Sequence, residues 1–470
     1  MRMDLAVGKW RGEALLAGFE PSFTFEPVDP LPPAEYEERL RRIRREAVVA
    51  GHDALLIHAD SIGWFHASNC YLRYVCDWMR EGLLIVPTDE DKPIVLLTVF
   101  SSSVMLPPPG EPMLVDEIWQ IAPWGREYLD RPGSGPVKLA EACATTLARL
   151  ELQKAQVGRI GDLTSMPYWA EIEKALPQCR FLHENGIIDR MQRIRSPREI
   201  AMIRGASRLI DLGFEAAFHV TRPGVTDHEI YAAFSYAQLA LGGETGDGYQ
   251  IGVNRFGTHC GKPYGRVIRS GDLINLYISN VTYRGYFSQA ARMIAVGSLT
   301  DRQEEVLSVC VEGLQRAERL LKPGVLVRDV NNAAFEPFVE RGFLESPEAR
   351  TMPFNWEAMP DGTARRIPEQ YVPDRDWEAQ GRKLTHVYPA TFGPHNPNLG
   401  HSVGMYSMPN YNISSNNYDR LEEGMVFVLH PQWLEPLSAG CNIGDCYVIT
   451  ADGFEKLTSK TSAMPFRVPA

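Results

Sequence analysis

The feature that most constrains the fold of this chain is a repeat within its C-terminal half. Arg222-Pro223-Gly224-Val225 runs into Asp227-His228-Glu229-Ile230 with Ala232-Ala233 behind it. Lys322-Pro323-Gly324-Val325 runs into Arg328-Asp329-Val330 with Ala333-Ala334 behind it. Each Pro-Gly pair marks a turn, and the acidic residue and alanines that follow read as the start of a helix. Two matching helix starts imply duplicated α/β halves that face each other. Such halves enclose a crevice, and ligands usually sit in crevices of this kind.

With 470 residues the chain has room for two domains. Its 44% apolar and 23% charged content is that of an ordinary globular protein. The net charge of −11 and the lack of a long Lys/Arg run exclude a basic nucleic-acid-binding surface. Met1-Arg2-Met3-Asp4-Leu5 lacks the apolar core of a secretion signal, and no apolar stretch is long enough to span a membrane. The expectation is a cytoplasmic protein with a small-molecule substrate and neither nucleic-acid nor membrane partners. The eight cysteines are scattered, and Cys441 and Cys446 have no metal or redox spacing, so they read as reduced thiols.

Residues 1–34 read as an irregular arm, ending in Asp29-Pro30-Leu31-Pro32-Pro33, that is able to wrap a neighbour. Residues 35–183 read as an α/β domain. An amphipathic helix is predicted over 35–50, buried strands over 54–57, 82–87, 93–99 and 157–160, and helices over 138–152 and 166–176. Residues 184–470 form the second domain. There Ser196 is placed as a helix N-cap, with Pro197 at the first helical position and Glu199 three residues after the cap, and the helix is predicted to run to about residue 219. Residues 340–395 interrupt this domain with Trp356, Pro360-Asp361-Gly362 and Trp377. A long aperiodic insertion of this kind is expected to be a lid or a dimer contact.

Four segments of the second domain form an ordered series: Gly271-Asp272-Leu273-Ile274-Asn275-Leu276-Tyr277, Gly285-Tyr286-Phe287-Ser288-Gln289, Gly400-His401-Ser402-Val403-Gly404, and Leu421-Glu422-Glu423-Gly424-Met425-Val426-Phe427-Val428-Leu429-His430-Pro431. The series resembles the active-site half of the pita-bread family, which includes methionine aminopeptidase, aminopeptidase P, prolidase and creatinase. The resemblance is close over residues 180–460 and loose over 35–180. It implies an α/β (α+β) fold, with a pita-bread catalytic domain and a smaller creatinase-like N-terminal domain. It also implies a homodimer in which the N-terminal domain reaches the partner's site. The family's metallopeptidases hold two metal ions with two Asp, one His and two Glu. The corresponding positions here are Tyr277, Gln289, His401, His430 and Gly444, and only the histidine is kept. A phenol, an amide, a glycine and two imidazoles do not make a dinuclear site for hard cations. The expectation is therefore no metal and no other cofactor.

His259 ends the stretch Ile251-Gly252-Val253-Asn254-Arg255-Phe256-Gly257-Thr258-His259, which is similar to the creatinase segment that carries its catalytic histidine. Creatinase works without metal. The resemblance implies that His259 activates a water and then protonates the leaving nitrogen, a task suited to an imidazole of pKa about 6.5. His401 matches the family histidine that orients substrate or binds metal, and its flanking glycines suit close approach of a ligand. His430 stands where the family has a glutamate, and a second glutamate expected near Ala291 is absent too. Without those carboxylates the pocket offers little to a cation. A neutral or anionic substrate fits better, with His430, Tyr277 and Gln289 as hydrogen-bonding groups. Tyr277 reads either as an acid/base or as an aromatic filling the space the metals left. Arg80 falls loosely on a creatinase arginine that binds a substrate carboxylate. His395 and Asp445 are candidates for the pocket rim, and Asp445 is placed to orient an imidazole.

These residues lead to the expectation of a metal-independent hydrolase of a non-peptide carbon–nitrogen bond, with His259 as general acid/base. Trp64, Trp78, Trp119 and Trp356 suggest an aromatic substrate. One alternative is a lyase working by elimination through His259, Tyr277 and His430, since a family relative cleaves dimethylsulfoniopropionate that way. Others are an inactive peptidase-like binding protein, and a single metal held by His259, His401 and His430.

Overall fold

Tyr36, Leu40, Ile43 and Ala47 recur at helical spacing and form the buried stripe of helix α1 (Pro33–Val49), which opens the smaller of two units. The structure is a computed structural model. It describes residues 14–59, 70–78, 81–98, 113–121, 134–161, 165–244, 249–254, 261–343, 356–358, 364–366, 398–405, 411–415, 417–435 and 439–470. The chain divides into Asp29–Gln192 on one side and Met1–Val28 with Arg193–Ala470 on the other.

In the smaller unit α1 is followed by β1 (Ala54–Ala59), α2 (Cys70–Cys76), β2 (Gly82–Pro87), β3 (Val95–Thr98), β4 (Glu117–Gln120), α3 (Ser134–Arg149), β5 (Gln156–Ile160), α4 (Met166–Ala175), β6 (Arg180–His183) and α5 (Asn185–Met191). The strands form one mixed sheet in the order β4-β3-β2-β1-β5-β6. Strands β1, β2 and β3 are buried along their whole length, which explains why their sequences are apolar apart from His58 and Thr98. The edge strands β4 and β6 are half exposed and carry no such run, so sequence alone does not reveal them. Leu139, Cys143 and Leu147 of α3 and Trp169 and Ile172 of α4 share a core with Leu56, Leu83 and Val95 of the sheet.

His58 is the next-to-last residue of β1 and is fully buried. Its Nδ1 is 2.8 Å from Ser165 Oγ, and its ring packs 4.1 Å from that of Tyr168. Burial lowers its pKa from 6.5 to about 3.

The larger unit begins with the arm. Phe19 packs against His219, Ser22 bonds Glu215, and the Val28 N–H donates to Tyr283 Oη at 3.1 Å, so these residues lie on their own chain. Helix α6 (Pro197–Val220) starts as its sequence dictates. Ser196 Oγ accepts the Glu199 N–H at 3.2 Å, and Glu199 Oε2 accepts the Ser196 N–H at 2.9 Å. Then come α7 (Asp227–Leu239), β7 (Tyr249–Val253), β8 (Leu273–Tyr283), β9 (Tyr286–Val296), α8 (Asp301–Glu318) and α9 (Val327–Glu340). The hairpin β10 (Trp356–Ala358) and β11 (Ala364–Arg366) is the described part of the insertion beyond residue 343. The chain ends with β12 (Asn398–Ser402), β13 (Asn412–Ser414), β14 (Val426–Leu429), β15 (Gln432–Glu435), β16 (Ala439–Asn442), β17 (Asp445–Ile449), β18 (Phe454–Lys456) and β19 (Phe466–Val468). Two main sheets result, β19-β9-β8-β7 and β13-β12-β14-β17-β18. Among the described residues no helix is long and apolar enough to cross a membrane.

The sequence repeat is a structural repeat. Gly224 and Gly324 hold φ of 90° and 86°, a region open to glycine at little cost. The Gly224 N–H donates to Ile268 O at 2.9 Å, and the Gly324 N–H donates to Leu421 O at 2.8 Å. The Ile268 and Leu421 N–H groups donate back to Val225 O and Val325 O, each at 2.8 Å. Each half thus pins its helix start to the segment that feeds its central strand, β8 or β14.

The halves are joined through Arg292. Strand β9 is buried from end to end, yet it carries this arginine at 0% exposure. Nη2 bonds Asp445 Oδ1 at 2.6 Å and Thr461 O at 2.9 Å, Nη1 bonds Gly444 O at 2.8 Å, and Nε bonds Thr461 Oγ1 at 3.1 Å. Asp445 also accepts from Thr458 Oγ1 at 2.8 Å and pairs with Lys456 Nζ at 3.1 Å. Burial raises the Asp445 pKa, but Arg292, Lys456 and the hydrogen bonds outweigh it and hold the carboxyl below its usual range.

Two predictions follow from these buried groups. Asp445→Ala leaves the Arg292 charge buried without its counter-ion and is expected to cost about 3–5 kcal/mol in denaturant unfolding; a loss below ~1 kcal/mol would show that the pair does not hold the halves together. His58 is neutral when folded, whereas the unfolded chain takes up its proton once pH drops below 6.5. The stability it contributes is therefore present above pH 6.5 and lost as pH falls towards about 3. Denaturant melts of the full chain at neutral and acidic pH should show a shallower acid loss for His58→Gln than for the parent, and identical slopes would refute this.

Candidate functional site

The register of β8 and β9 sets Tyr277 opposite Ala291, and the two-residue period of a strand puts Gln289 on the same face. The Gln289 amide donates to Tyr277 Oη at 2.6 Å. From the other sheet, β12 presents His401 opposite Val428 of β14, and His430 follows the end of β14. The His401 and His430 ring centres are 5.4 Å apart, and those of Tyr277 and His430 are 5.7 Å apart, both edge-to-face. All four side chains are buried, none more than 6% exposed. Four sequence-predicted residues from both halves thus form one cluster. Two backbone bonds of 3.1 Å between Ala291 and Gly444 tie the sheets together beside it.

The chemistry of the cluster is neutral. A carbonyl can only accept, so His401 Nδ1, 3.0 Å from Ser402 O, carries its proton and Nε2 keeps a lone pair. Burial lowers the His401 pKa, and the Ser402 carbonyl partly offsets this. Burial, reinforced by the neighbouring His401, pushes His430 down to about 3. Among the described residues, the two buried ring nitrogens of His430 have no partner beyond a weak contact with the residue's own backbone. A buried polar group left unpaired costs about 1–3 kcal/mol.

The glycines serve packing rather than ligand approach, contrary to expectation for those beside His401. A Cβ on Gly400 would lie 1.9 Å from Val428 O, and one on Gly404 would lie 2.2 Å from Arg195 Nη2. Arg195 in turn donates to Val403 O at 2.9 Å. At Gly444, where the family resemblance expects a metal-binding glutamate, a Cβ would lie 2.4 Å from Leu429 O and 2.7 Å from His430 Cβ. The space for that side chain is closed. Among the described residues no group of three or more His, Cys, Asp or Glu converges on one point. These residues do not fit the family's carboxylate-bound metal pair.

Asp445 was expected to orient an imidazole, but its bonds go to Arg292, Thr458 and Lys456. Arg292 was not singled out from sequence. The signal was there, a lone arginine inside an otherwise apolar strand sequence, Ala290-Ala291-Arg292-Met293-Ile294. His259, Arg80 and His395 lie outside the described residues. The closed space at position 444 predicts that Gly444→Ala lowers stability by about 1–3 kcal/mol, as overpacking does, in thermal denaturation; an unchanged melting temperature would show that the Leu429–His430 backbone yields easily.

Comparison with known proteins gives the lineage of this site. Residues 201–451 match the model of metallopeptidase family M24. A Xaa-Pro dipeptidase of Lactobacillus helveticus is 24% identical over 302 residues, which cover 63% of this chain and 68% of that protein. An uncharacterized peptidase of Staphylococcus aureus strain MW2 is 25% identical over 283 residues, 58% of this chain and 64% of its own length, so the chain matches less than two thirds of it. In structure, the Xaa-Pro dipeptidase from Bacillus anthracis matches with a TM-score of 0.66 at 19% identity, over 92% of this chain and all of that one. The prolidase from Pyrococcus horikoshii OT3 matches with a TM-score of 0.66 at 19% identity, over 91% and 99% of the two chains. The fold is the pita-bread fold with its N-terminal domain, as the sequence motifs imply. The function expected from sequence is corrected. Peptidases of this kind overturn the metal-independent hydrolase of a non-peptide bond, its lyase alternative, and the exclusion of a metallopeptidase. The assignment to the creatinase branch finds no support in these relatives either. The family model spans more than half of the 470 residues, and this chain belongs to metallopeptidase family M24.

Proposed function

We propose that the protein is a peptidase acting on short peptides at the bond that precedes proline. The observation that carries this reading is the convergence of Tyr277, Gln289, His401 and His430, from both halves of the repeat, on the ligand positions of the family. The Xaa-Pro dipeptidase relative supports the choice of bond.

What the side chains contribute follows from their state. His401 and His430 are uncharged at neutral pH, so the cluster offers imidazole lone pairs rather than charge. Tyr277 and Gln289, bonded to each other, form a polar wall with donor and acceptor capacity suited to a neutral amide. The bond before proline is a tertiary amide without an N–H, and its carbonyl oxygen needs a donor alone. The absence of carboxylates in the cluster disfavours cationic side chains at the same place. Family metal chemistry would polarise the scissile carbonyl, but these residues do not fit the family's metal pair, and no step is drawn through it.

Purified protein should release proline from Xaa-Pro dipeptides and leave Xaa-Ala analogues largely intact. His401→Gln should reduce kcat/KM by roughly a hundredfold or more if the imidazole serves the transition state. Failure to cleave any Xaa-Pro peptide across a panel of residues and metal supplements would sink this reading.

A further inference from the structure

We infer that a cavity beside the C-terminal half of helix α8 binds a free α-amino acid with an apolar side chain. The cavity has a volume of about 110 Å³ and lies wholly within the larger unit. None of Tyr277, Gln289, His401 and His430 lines it, so the inference goes beyond the peptidase reading and does not rest on it.

Three observations carry it. First, one wall holds an acid and a base side by side, each with bonding capacity left over. Lys456 Nζ is 2.6 Å from Glu318 Oε1 and 3.1 Å from Asp445 Oδ2. An ammonium has three N–H donors, so one remains for a ligand. Glu318 Oε1 also accepts the Tyr447 hydroxyl at 2.6 Å, whereas Oε2 takes no bond among the described residues. The wall therefore offers an acceptor for a ligand ammonium next to a donor for a ligand carboxylate. Both side chains are partly buried, where charge-assisted hydrogen bonds are screened less than in open water. Burial opposes the charge on Lys456, but Asp445 and Glu318 outweigh it and raise its pKa, so the donor is kept at neutral pH.

Second, the surface facing this pair is apolar. Leu314 and Ile443 are buried, and Val311 and Ala463 pack against the same core. Met464 is exposed at the edge. Apolar surface beside a charged pair favours an amphipathic ligand over an inorganic ion. Third, the size suits one residue. A dry apolar cavity of roughly 150 Å³ takes up benzene, so this smaller one suits a side chain of about three to five carbons. The place also has a link to the rest of the unit. The ammonium that meets the ligand holds Asp445, the counter-ion of Arg292, so the cavity and the junction of the two halves share one cation.

The test is calorimetric titration of the full chain with L-leucine. About one equivalent per chain is expected to bind, and L-valine should behave alike. L-leucinamide, N-acetyl-L-leucine and glycine lack the carboxylate, the ammonium and the side chain in turn, and each should bind about tenfold or more weakly. Ala463→Trp fills the cavity from its half-buried edge and should abolish binding while keeping the circular dichroism of the parent. Location is read separately by carbon-13 methyl NMR of methionine, with the Met464 signal assigned through Met464→Leu. That signal should move with leucine in the parent and in His401→Gln. A Met464 signal that leucine leaves in place would overturn the proposal, and so would binding that survives in Ala463→Trp. Binding lost in His401→Gln would move the amino acid to the imidazole cluster and overturn it too, and equal affinity for the three analogues would remove the matched charges. The parent spectrum alone decides if Ala463→Trp does not fold. No readout requires peptide hydrolysis, so failure of the peptidase reading and failure of this site are told apart.

Discussion

The larger unit depends on one buried ion pair. Arg292 sits in a strand with no exposed residue and has no route to water, so its charge must be met within the protein. Asp445 from the other half meets it, and the remaining guanidinium donors go to Gly444 O and to Thr461. The pair lies directly behind positions 291 and 444, whose backbones exchange two hydrogen bonds. The relative position of the two sheets is thereby fixed next to the cluster of Tyr277, Gln289, His401 and His430. A buried ion pair rarely adds much net stability over an apolar substitute, but it penalises any arrangement in which the charges are apart. Here that penalty sets the register between two halves that meet through few strand hydrogen bonds.

Seen from that pair, the loss of carboxylates from the cluster follows a simple electrostatic logic. Carboxylates gathered in a buried site repel one another and need cations before they are tolerated. Tyr277, Gln289, His401 and His430 carry no such cost, since each is neutral or becomes neutral on burial. The cluster can therefore fold without cations. What remains is a smaller local cost at His430, whose ring nitrogens find no side-chain partner among the described residues. The carboxylate next to the site, Asp445, is tolerated because Arg292, Lys456 and Thr458 surround it.

Much of this was legible in the sequence where one physical cause acts locally. The Pro-Gly repeat gave the duplicated halves because only a turn of that shape can deliver the chain to each helix, and Gly224 and Gly324 indeed sit at positive φ. Ser196 and Glu199 announced their helix because a capping box is a purely local hydrogen-bond exchange. The buried strands of the smaller unit followed from apolar runs, while β4 and β6 did not, because edge strands need not be apolar on both faces. The cluster was legible by position but not by contact. Nothing in the sequence around Gly400 or Gly404 tells that one abuts Val428 O and the other the Arg195 guanidinium. The partners of Asp445 are hidden for the same reason, since Arg292 and Thr458 lie far away or across a turn.

The functional expectation failed at a different step. Absent ligands do not mean an absent reaction class, because residue loss at a site restricts how chemistry is done more strongly than it restricts which bond is served. A scaffold can host several chemistries, so the loss of a metal pair does not by itself select a metal-free hydrolase over a peptidase. The neutral cluster narrows the question in another way. It offers two buried, neutral imidazoles, one of them with a fixed tautomer, in place of the carboxylate charge on which the family's metal pair depends.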